Sequence, residues 1–248
     1  MIIQEKCEVI SNTEIADKHF KMVFKAPKIV SNVKPGQFVT VKVNDTYEPL
    51  LRKPFGIYEI EETHFSIVYR VIGKGTELLS KVSVGEFLDV FGPLGNGVEI
   101  GNAKSTAIVA GGVGLAAVGV IADRLAGNFD LYFGVKNKTE IFDNKKWQGL
   151  ASDFYLSSDD GSVGEKGFIT SVFEKKASEY ERVFCCGPKV MMKKVYESLG
   201  EDTESYFLME EYMACGIGIC MGCVCETKKG YQRGCKEGPV FRGEDIKW

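Results

Sequence analysis

The chain has 248 residues, 44% hydrophobic and 26% charged, with a formal net charge of -3. That length suits two domains plus a short appendage rather than one small core, and the balanced charge gives no basic field for gathering phosphates, so nucleic acid is not an expected partner. The longest apolar stretch, Thr106 to Ala122, is interrupted by Gly111, Gly112, Gly114 and Gly119; it falls short of the roughly 20 residues a membrane span needs, and no membrane association is expected.

The beginning, Met1-Ile2-Ile3-Gln4-Glu5-Lys6, lacks a basic region followed by a long apolar core, so a secretory signal is not expected and the predicted location is cytoplasmic. From Cys7 to about Val98 short alternating runs are separated by turn residues: Phe20 to Phe24, Gln37 to Val43, Phe55 to Ile60, Phe65 to Val71 and Phe87 to Phe91. With Pro35-Gly36 and Gly92-Pro93 as punctuation, this spacing predicts an antiparallel β-barrel or sandwich over residues 1–100, interrupted by one helix from Thr76 to Val82.

The character changes at Gly101 to Ser105. Ala107 to Ala110 reads as a short apolar strand, Leu115 to Leu125 as a helix and Asp130 to Val135 as another strand, which together make a parallel crossover unit. Strands at Phe154 to Ser157 and Arg182 to Cys185, each near helical stretches, extend an α/β domain with a parallel sheet over residues 101–200. Residues 201–248 are rich in glycine and cysteine and show no long periodic run, so a small cofactor-stapled unit is expected there. The fold class is therefore multi-domain, with no internal repeat or low-complexity segment.

Between the first strand and helix of the second domain stands Gly112-Val113-Gly114-Leu115-Ala116-Ala117, which fits G-x-G-x-x-G/A in the context that gives this permissive motif weight. Gly112 and Gly114 would let the backbone approach a pyrophosphate at the helix start; a plain packing turn is the alternative. Lys136 and Asn137, rather than an acidic residue, follow the second strand, so the residues do not choose between NAD and NADP.

Eight cysteines are present, and five lie between Cys215 and Cys235. A reducing compartment disfavours disulfides, and such crowding points to metal or redox chemistry. The spacing Cys215-x4-Cys220-x2-Cys223-x11-Cys235 follows the plant-type [2Fe–2S] pattern in its first three ligands. The fourth would return on a hairpin turning at Lys228-Lys229-Gly230. A structural zinc site is the competing reading, although zinc usually takes two separated C-x2-C pairs. Cys225 lies two residues from Cys223 and points the other way on an extended strand, so it is read as a non-ligand. Cys7 and Cys185 read as small buried hydrophobes, and His19 and His64 as structural.

Three further stretches, Leu51 to Ile57, Val68 to Thr76 and Gly92 to Gly97, taken with Cys186-Gly187-Pro188 and the cysteine tail ending Cys235 to Phe241, closely resemble the electron-transfer subunits of class 1B dihydroorotate dehydrogenases. These form a branch of the ferredoxin reductase superfamily, and the resemblance covers essentially the whole chain. It implies an FAD-binding antiparallel β-barrel (1–100), an NAD-binding α/β domain (101–200) and a [2Fe–2S] cluster-binding domain (201–248). Residue by residue, Arg52, Lys53, Pro54 and Phe55 resemble the strand along the isoalloxazine and flavin phosphate, Val68, Tyr69 and Arg70 the strand bordering the flavin, and Gly75-Thr76 the pyrophosphate turn. Cys186 resembles the strand-end cysteine facing nicotinamide and flavin. Gly56 departs from the serine usual near the flavin N5.

The resemblance further implies an oxidoreductase of pyrimidine biosynthesis that passes electrons from NADH through FAD and the cluster to the FMN of a partner dihydroorotate dehydrogenase catalytic subunit, in a hetero-oligomer. No dihydroorotate-oxidising base is expected in this chain. Two other readings use the same residues: a reductase subunit feeding another redox partner such as a hydrogenase or ferredoxin, and a non-enzymatic redox-responsive regulator.

Overall fold

In the computed structural model, which describes residues 1–248, the first part of the chain obeys the period of two that a half-buried strand imposes. In β1 (Ile3–Ala16) Cys7 and Val9 are buried while Lys6 and Ile10 face solvent. It is followed by β2 (His19–Lys25), α1 (Pro27–Val30), β3 (Phe38–Lys42), β4 (Lys53–Gly56), β5 (Glu59–Glu61), β6 (His64–Arg70), α2 (Lys74–Ser80) and β7 (Phe87–Leu94). The strands form one antiparallel sheet in the order β4-β3-β7-β1-β2-β6-β5, which curls until β4 touches β6 and encloses a core of Val9, Phe24, Val41, Ile67, Tyr69 and their neighbours. The run expected from Phe55 to Ile60 divides into β4 and β5, because Ile57 and Tyr58 leave the first pairing to bond Gln37 and Ser66 backbone carbonyls.

The second sheet has a different pattern. Its central strands are buried at almost every position, as strands covered on both faces must be. They are β8 (Thr106–Gly111), β9 (Asp130–Val135), β10 (Phe154–Ser158), β11 (Glu165–Lys166), β12 (Arg182–Cys186) and β13 (Glu204–Leu208), packed by α3 (Gly114–Ala117), α4 (Gly119–Leu125), α5 (Asn144–Leu150), α6 (Ile169–Phe173) and α7 (Lys189–Glu197). A hairpin, β14 (Val224–Thr227) and β15 (Gly230–Arg233), follows, and β16 (Val240–Arg242) ends the strand series. The order is β11-β10-β9-β8-β12-β13-β16, parallel except for antiparallel β16.

Two details differ from the sequence expectation. The helix expected over Leu115 to Leu125 is two pieces parted at Val118, and the break brings Gly119 so close to the barrel that an added Cβ would overlap the Tyr58 carbonyl oxygen. The tail from residue 201 also does not stand apart: β13 and β16 both join the parallel sheet. Tyr206-Phe207-Leu208 is a short buried strand, too brief to register as a periodic run beside the cysteines.

The seam between the sheets is sealed by apolar and ionic contacts. Tyr58 and Val68 of the barrel pack into the core formed by Ile108, Leu115, Ile121 and Phe133. Beside them Glu59 pairs with Lys21 at 2.5 Å and Lys146 at 2.8 Å, Lys146 reaches Asp123 at 3.3 Å, and the Tyr58 hydroxyl donates to Asp143 at 2.7 Å.

Candidate functional site

The parallel sheet changes direction between β8 and β12, and open α/β sheets bind ligands beyond the carboxyl ends of strands at such a switch point. A cavity of about 750 Å³ opens there, bordered by Gly111 to Gly114, Gly134 to Lys136 and Gly187 to Met192. Gly112 has φ +53, a left-handed backbone that glycine tolerates without strain. At Gly114 a Cβ would stand 2.7 Å from the Cys186 carbonyl oxygen, so the turn lies directly on the end of β12. Arg70, Lys136, Lys189 and Lys194 face the cavity alongside Glu140, Asp159, Glu174 and Glu210, and Arg70 stands 3.5 Å from Glu140. Glu210 opens on the cavity, yet the protein gathered around it raises its carboxyl above the usual range despite a bond from Cys186. A second hollow, of about 630 Å³, lies at the opposite end of β8 and β9, the end of an open sheet where ligands do not bind.

Cys186 is fully buried at the end of β12. Its thiol donates to the Leu208 carbonyl at 3.6 Å and approaches Glu210 at 3.9 Å. Burial, with the Glu210 charge adding to it, pushes its pKa well above that of an ordinary thiol. It is a protonated side chain behind the cavity wall.

On the barrel side, Lys53 extends across Gly75 at the start of α2. The Thr76 hydroxyl folds back to accept from Ile72 N at 3.0 Å and donate to Gly73 O at 3.0 Å, fixing that turn. Arg52 is committed to Asp89, with one bond of 2.8 Å to its carbonyl and one of 3.0 Å to its carboxylate. Tyr69 turns into the barrel core and donates to Asn12 at 3.0 Å, so only the backbone of that residue is open to a ligand along β6, between Val68 and Arg70. At Gly56 a Cβ would lie 3.0 Å from Ala117 Cα. The missing serine side chain is thus matched by close approach of α3.

The cysteine loop packs on the outer face of β3 and β7, where Phe38 and Leu94 form a small core with Cys223 and Cys235. Cys215 Sγ accepts from Ile219 N at 3.3 Å and Cys220 N at 3.4 Å. Although burial opposes it, the backbone amides of Ile217, Cys220 and Ile219 and the neighbouring Cys220 thiol draw Cys215 down to about 6. Cys235 Sγ accepts from Gly218 N at 3.1 Å, and Cys223 Sγ accepts from Cys235 N at 3.4 Å. Burial, reinforced by Cys223, pushes Cys235 up to about 12. The thiols therefore come as two pairs, Cys215 with Cys220 and Cys223 with Cys235. Two pairs on amide-lined loops fit a two-iron centre, whose four thiolates are shared between the irons. Gly216 and Gly218 have φ +70 and +82, the left-handed turns that aim those amides at sulfur. Cys225 lies on the far side, in the core under β13, where burial, reinforced by the charge of Glu211, pushes it up to about 12.

Comparison with known proteins gives this geometry its context. A family model, the iron–sulfur cluster binding domain of dihydroorotate dehydrogenase B, matches residues 210–247. A dihydroorotate dehydrogenase B (NAD(+)) electron transfer subunit from Clostridium acetobutylicum is 40% identical over 242 residues, spanning 96% of this chain and 95% of that one. The subunit of the same description from Bacillus pumilus is 37% identical, with 96% of each chain covered. This chain belongs to that family. Among solved structures, an NADH-dependent reduced ferredoxin-NADP oxidoreductase described for flavin-based electron bifurcation superposes with a TM-score of 0.88 at 27% identity, over 98% of this chain and 90% of that one.

As a dihydroorotate dehydrogenase B electron transfer subunit, the chain is an oxidoreductase that works with a catalytic partner, and no helix in it is long and apolar enough to cross a membrane. The structure adds residues that spacing alone did not reveal. Arg233 bonds Glu237 and the Gly218 carbonyl, a clamp beside Cys235 that holds the Glu237 carboxyl down at about 2. An arginine and a glutamate four apart flanking Cys235 are visible in the sequence, but not their turn. Asp159, Glu174 and Glu210 border the cavity at the switch point without any motif to announce them.

Proposed function

We propose that this subunit carries reducing equivalents from NADH through FAD and a [2Fe–2S] cluster to the FMN of a dihydroorotate dehydrogenase catalytic subunit, in the cytoplasm and in the service of pyrimidine biosynthesis. The observation that carries this reading is a continuous line of contacts. The nucleotide turn rests on β12 through Gly114, α3 rests on the expected flavin strand through Ala117 and Gly56, and β3 of the same barrel seats the cysteine loop through Thr40 and Gly216. The three expected cofactor seats are therefore adjacent. On this reading residues 1–100 hold FAD, 101–200 hold NADH and 201–248 hold the cluster.

FAD supplies the chemistry that nicotinamide lacks, since it accepts two electrons together as hydride and releases them singly. The protein's residues position and insulate. Gly112 and Gly114 admit the dinucleotide backbone to the start of α3, while Lys136, Lys189 and Lys194 offset its phosphate charge. Lys53 brings a cation to the Gly75-Thr76 turn where the FAD pyrophosphate is expected, and Pro54 and Phe55 offer apolar surface to a flat ring. Arg52 can donate to a flavin phosphate only by sharing its bonds with Asp89. Arg70, at the cavity edge, stands between the two nucleotide seats. Cys186, protonated and covered, acts as a packing wall. Cys215, Cys220, Cys223 and Cys235 hold the cluster, and the amides of Gly218, Ile219, Cys220 and Cys235 stabilise charge on their sulfurs.

The purified protein should carry FAD together with about two irons and two labile sulfides per chain, and NADH added anaerobically should bleach both the flavin and cluster absorption. Cys220→Ser should lose iron and sulfide, whereas Cys225→Ser should keep them. Stoichiometric zinc without labile sulfide, or FMN in place of FAD, would defeat this reading. The likeness to the ferredoxin-linked oxidoreductase supports a second choice of partner, ferredoxin; co-purification with orotate-linked activity separates the two.

A further inference from the structure

We propose that Thr40 donates a hydrogen bond to the iron–sulfur centre and thereby raises its reduction potential; this rests on the cluster reading above. Thr40 lies in the middle of β3 and is 2% exposed. Its hydroxyl has no hydrogen-bond partner within the protein. Other buried hydroxyls find partners, as Ser66 donates to Glu59, Ser158 to the Val163 carbonyl and Thr227 to the Gly230 carbonyl; Ser157, in β10 of the other sheet, shares the unpartnered state of Thr40. A buried hydroxyl left alone has given up its bonds to water without replacement, which destabilises the fold. Valine, which flanks Thr40 on both sides as Val39 and Val41, would fill the same shape without that cost.

The position of Thr40 shows where the missing partner belongs. Val39 and Val41 face the barrel core, so Thr40 faces outward with Phe38. Phe38 packs on Cys223 and Cys235, and a Cβ added to Gly216, next to Cys215, would meet Thr40 Cγ2 at 3.1 Å. The small core beside it is apolar, with Phe38, Leu94, Ile217 and Met213. Farther along the same face Asp89 is held by Arg52 and Gln4, and no cysteine sulfur accepts from the Thr40 hydroxyl within the protein, so the acceptor we assign is a sulfide of the centre itself. Along the sheet Thr40 pairs with Pro54 of the expected flavin strand, so the residue lies between the flavin seat and the cysteine loop.

The other donors to these thiols are backbone amides, which substitution cannot remove cleanly; Thr40 is a side-chain donor that it can. Hydrogen bonds to cluster sulfurs stabilise the more negative reduced state and raise the potential. Removing the donor must lower it.

The test uses the full-length protein with cofactors bound, and reads iron, labile sulfide and the cluster midpoint potential by spectroelectrochemical titration. Thr40→Val should keep native iron and sulfide but shift the midpoint to a more negative value, with a changed electron paramagnetic resonance spectrum of the reduced centre. Thr40→Ser, which keeps the hydroxyl and loses the methyl, should retain the native potential. A native potential in Thr40→Val overturns the proposal, and so does an equal downward shift in both variants, which would make shape the cause. If Thr40→Val does not assemble, proton–deuterium exchange read by electron–nuclear double resonance on the reduced native centre and on Thr40→Ala decides: an exchangeable coupling present in the first and lost in the second supports the bond, and identical couplings refute it. A native protein without labile sulfide would sink the cluster reading itself, a result distinct from all of these.

Discussion

Replacing Glu59 by glutamine tests how the two large domains are held together. The Glu59 side chain is 16% exposed and is shared between Lys21 and Lys146, which are 26% and 27% exposed. Burial alone would raise its carboxyl, but hydrogen bonds from Lys146 and Lys21 outweigh this and leave it below the usual range. Breaking a fully buried pair costs about 3–5 kcal/mol and an exposed one about 0–1 kcal/mol. For this part-exposed triad the two limits interpolate to about 2 kcal/mol. In a protein of this size that corresponds to roughly 4–8 °C in melting temperature. Because the folded carboxyl is depressed, its contribution is fully present above the unfolded glutamate value, about 4.3, and is lost as pH falls through the folded value. The measurement is thermal unfolding of native and Glu59→Gln protein at pH 7 and below pH 4. The gap should be present at the first and narrow at the second. Equal melting temperatures at pH 7, or a gap that widens in acid, would show that Glu59 does not bind the seam.

Two other variants probe the remaining contacts. Gly119→Ala should lower the melting temperature, by an overpacking cost of about 1–3 kcal/mol, because the new methyl would stand 2.8 Å from Tyr58 Cδ2 as well as overlapping the carbonyl; unchanged melting would mean that α4 can slide away from the barrel. Around the cysteine loop Ile219 and Met221 are 75% and 49% exposed while Met213 and Ile217 pack inward, so Ile219→Glu should leave NADH-to-dye activity nearly intact and weaken partner assembly about tenfold or more. Native assembly and native partner-driven turnover in that variant would place the docking surface elsewhere.

Much of this architecture is legible in the sequence because its signals are local. Asp130 to Val135 and Arg182 to Cys185 are strand-length apolar runs, and the cysteine spacing is set by the ligand chemistry. What is not legible is long-range. β1 is a 14-residue strand whose exposed face carries enough charge to hide its alternation, and one of its two partners, β7, lies far along the chain. Family likeness puts Arg52 on a strand, whereas it stands just before β4, and it puts Tyr69 on β6; only the fold shows that Arg52 is engaged by Asp89 and that Tyr69 points into the barrel. The Leu115 to Leu125 helix looks continuous until Tyr58, distant in sequence, demands a glycine at 119. Thr40 carries no signal, since a threonine between valines is ordinary strand composition.

The return of β16 to β13 fixes how the cysteine-bearing segment is tied to the parallel sheet. Met209 N donates to the Pro239 carbonyl at 2.9 Å, just beyond the point where Leu208 pairs with Val240. The segment 209–239 is therefore a closed excursion whose two ends leave and re-enter one sheet at adjacent strands. Joining the ends of such a segment costs about 3 kcal/mol in chain entropy, and here the host sheet meets that cost. A loop held between two neighbouring strands has only to order its interior, so the cysteines sit on an excursion that leaves the strand order of the host sheet undisturbed.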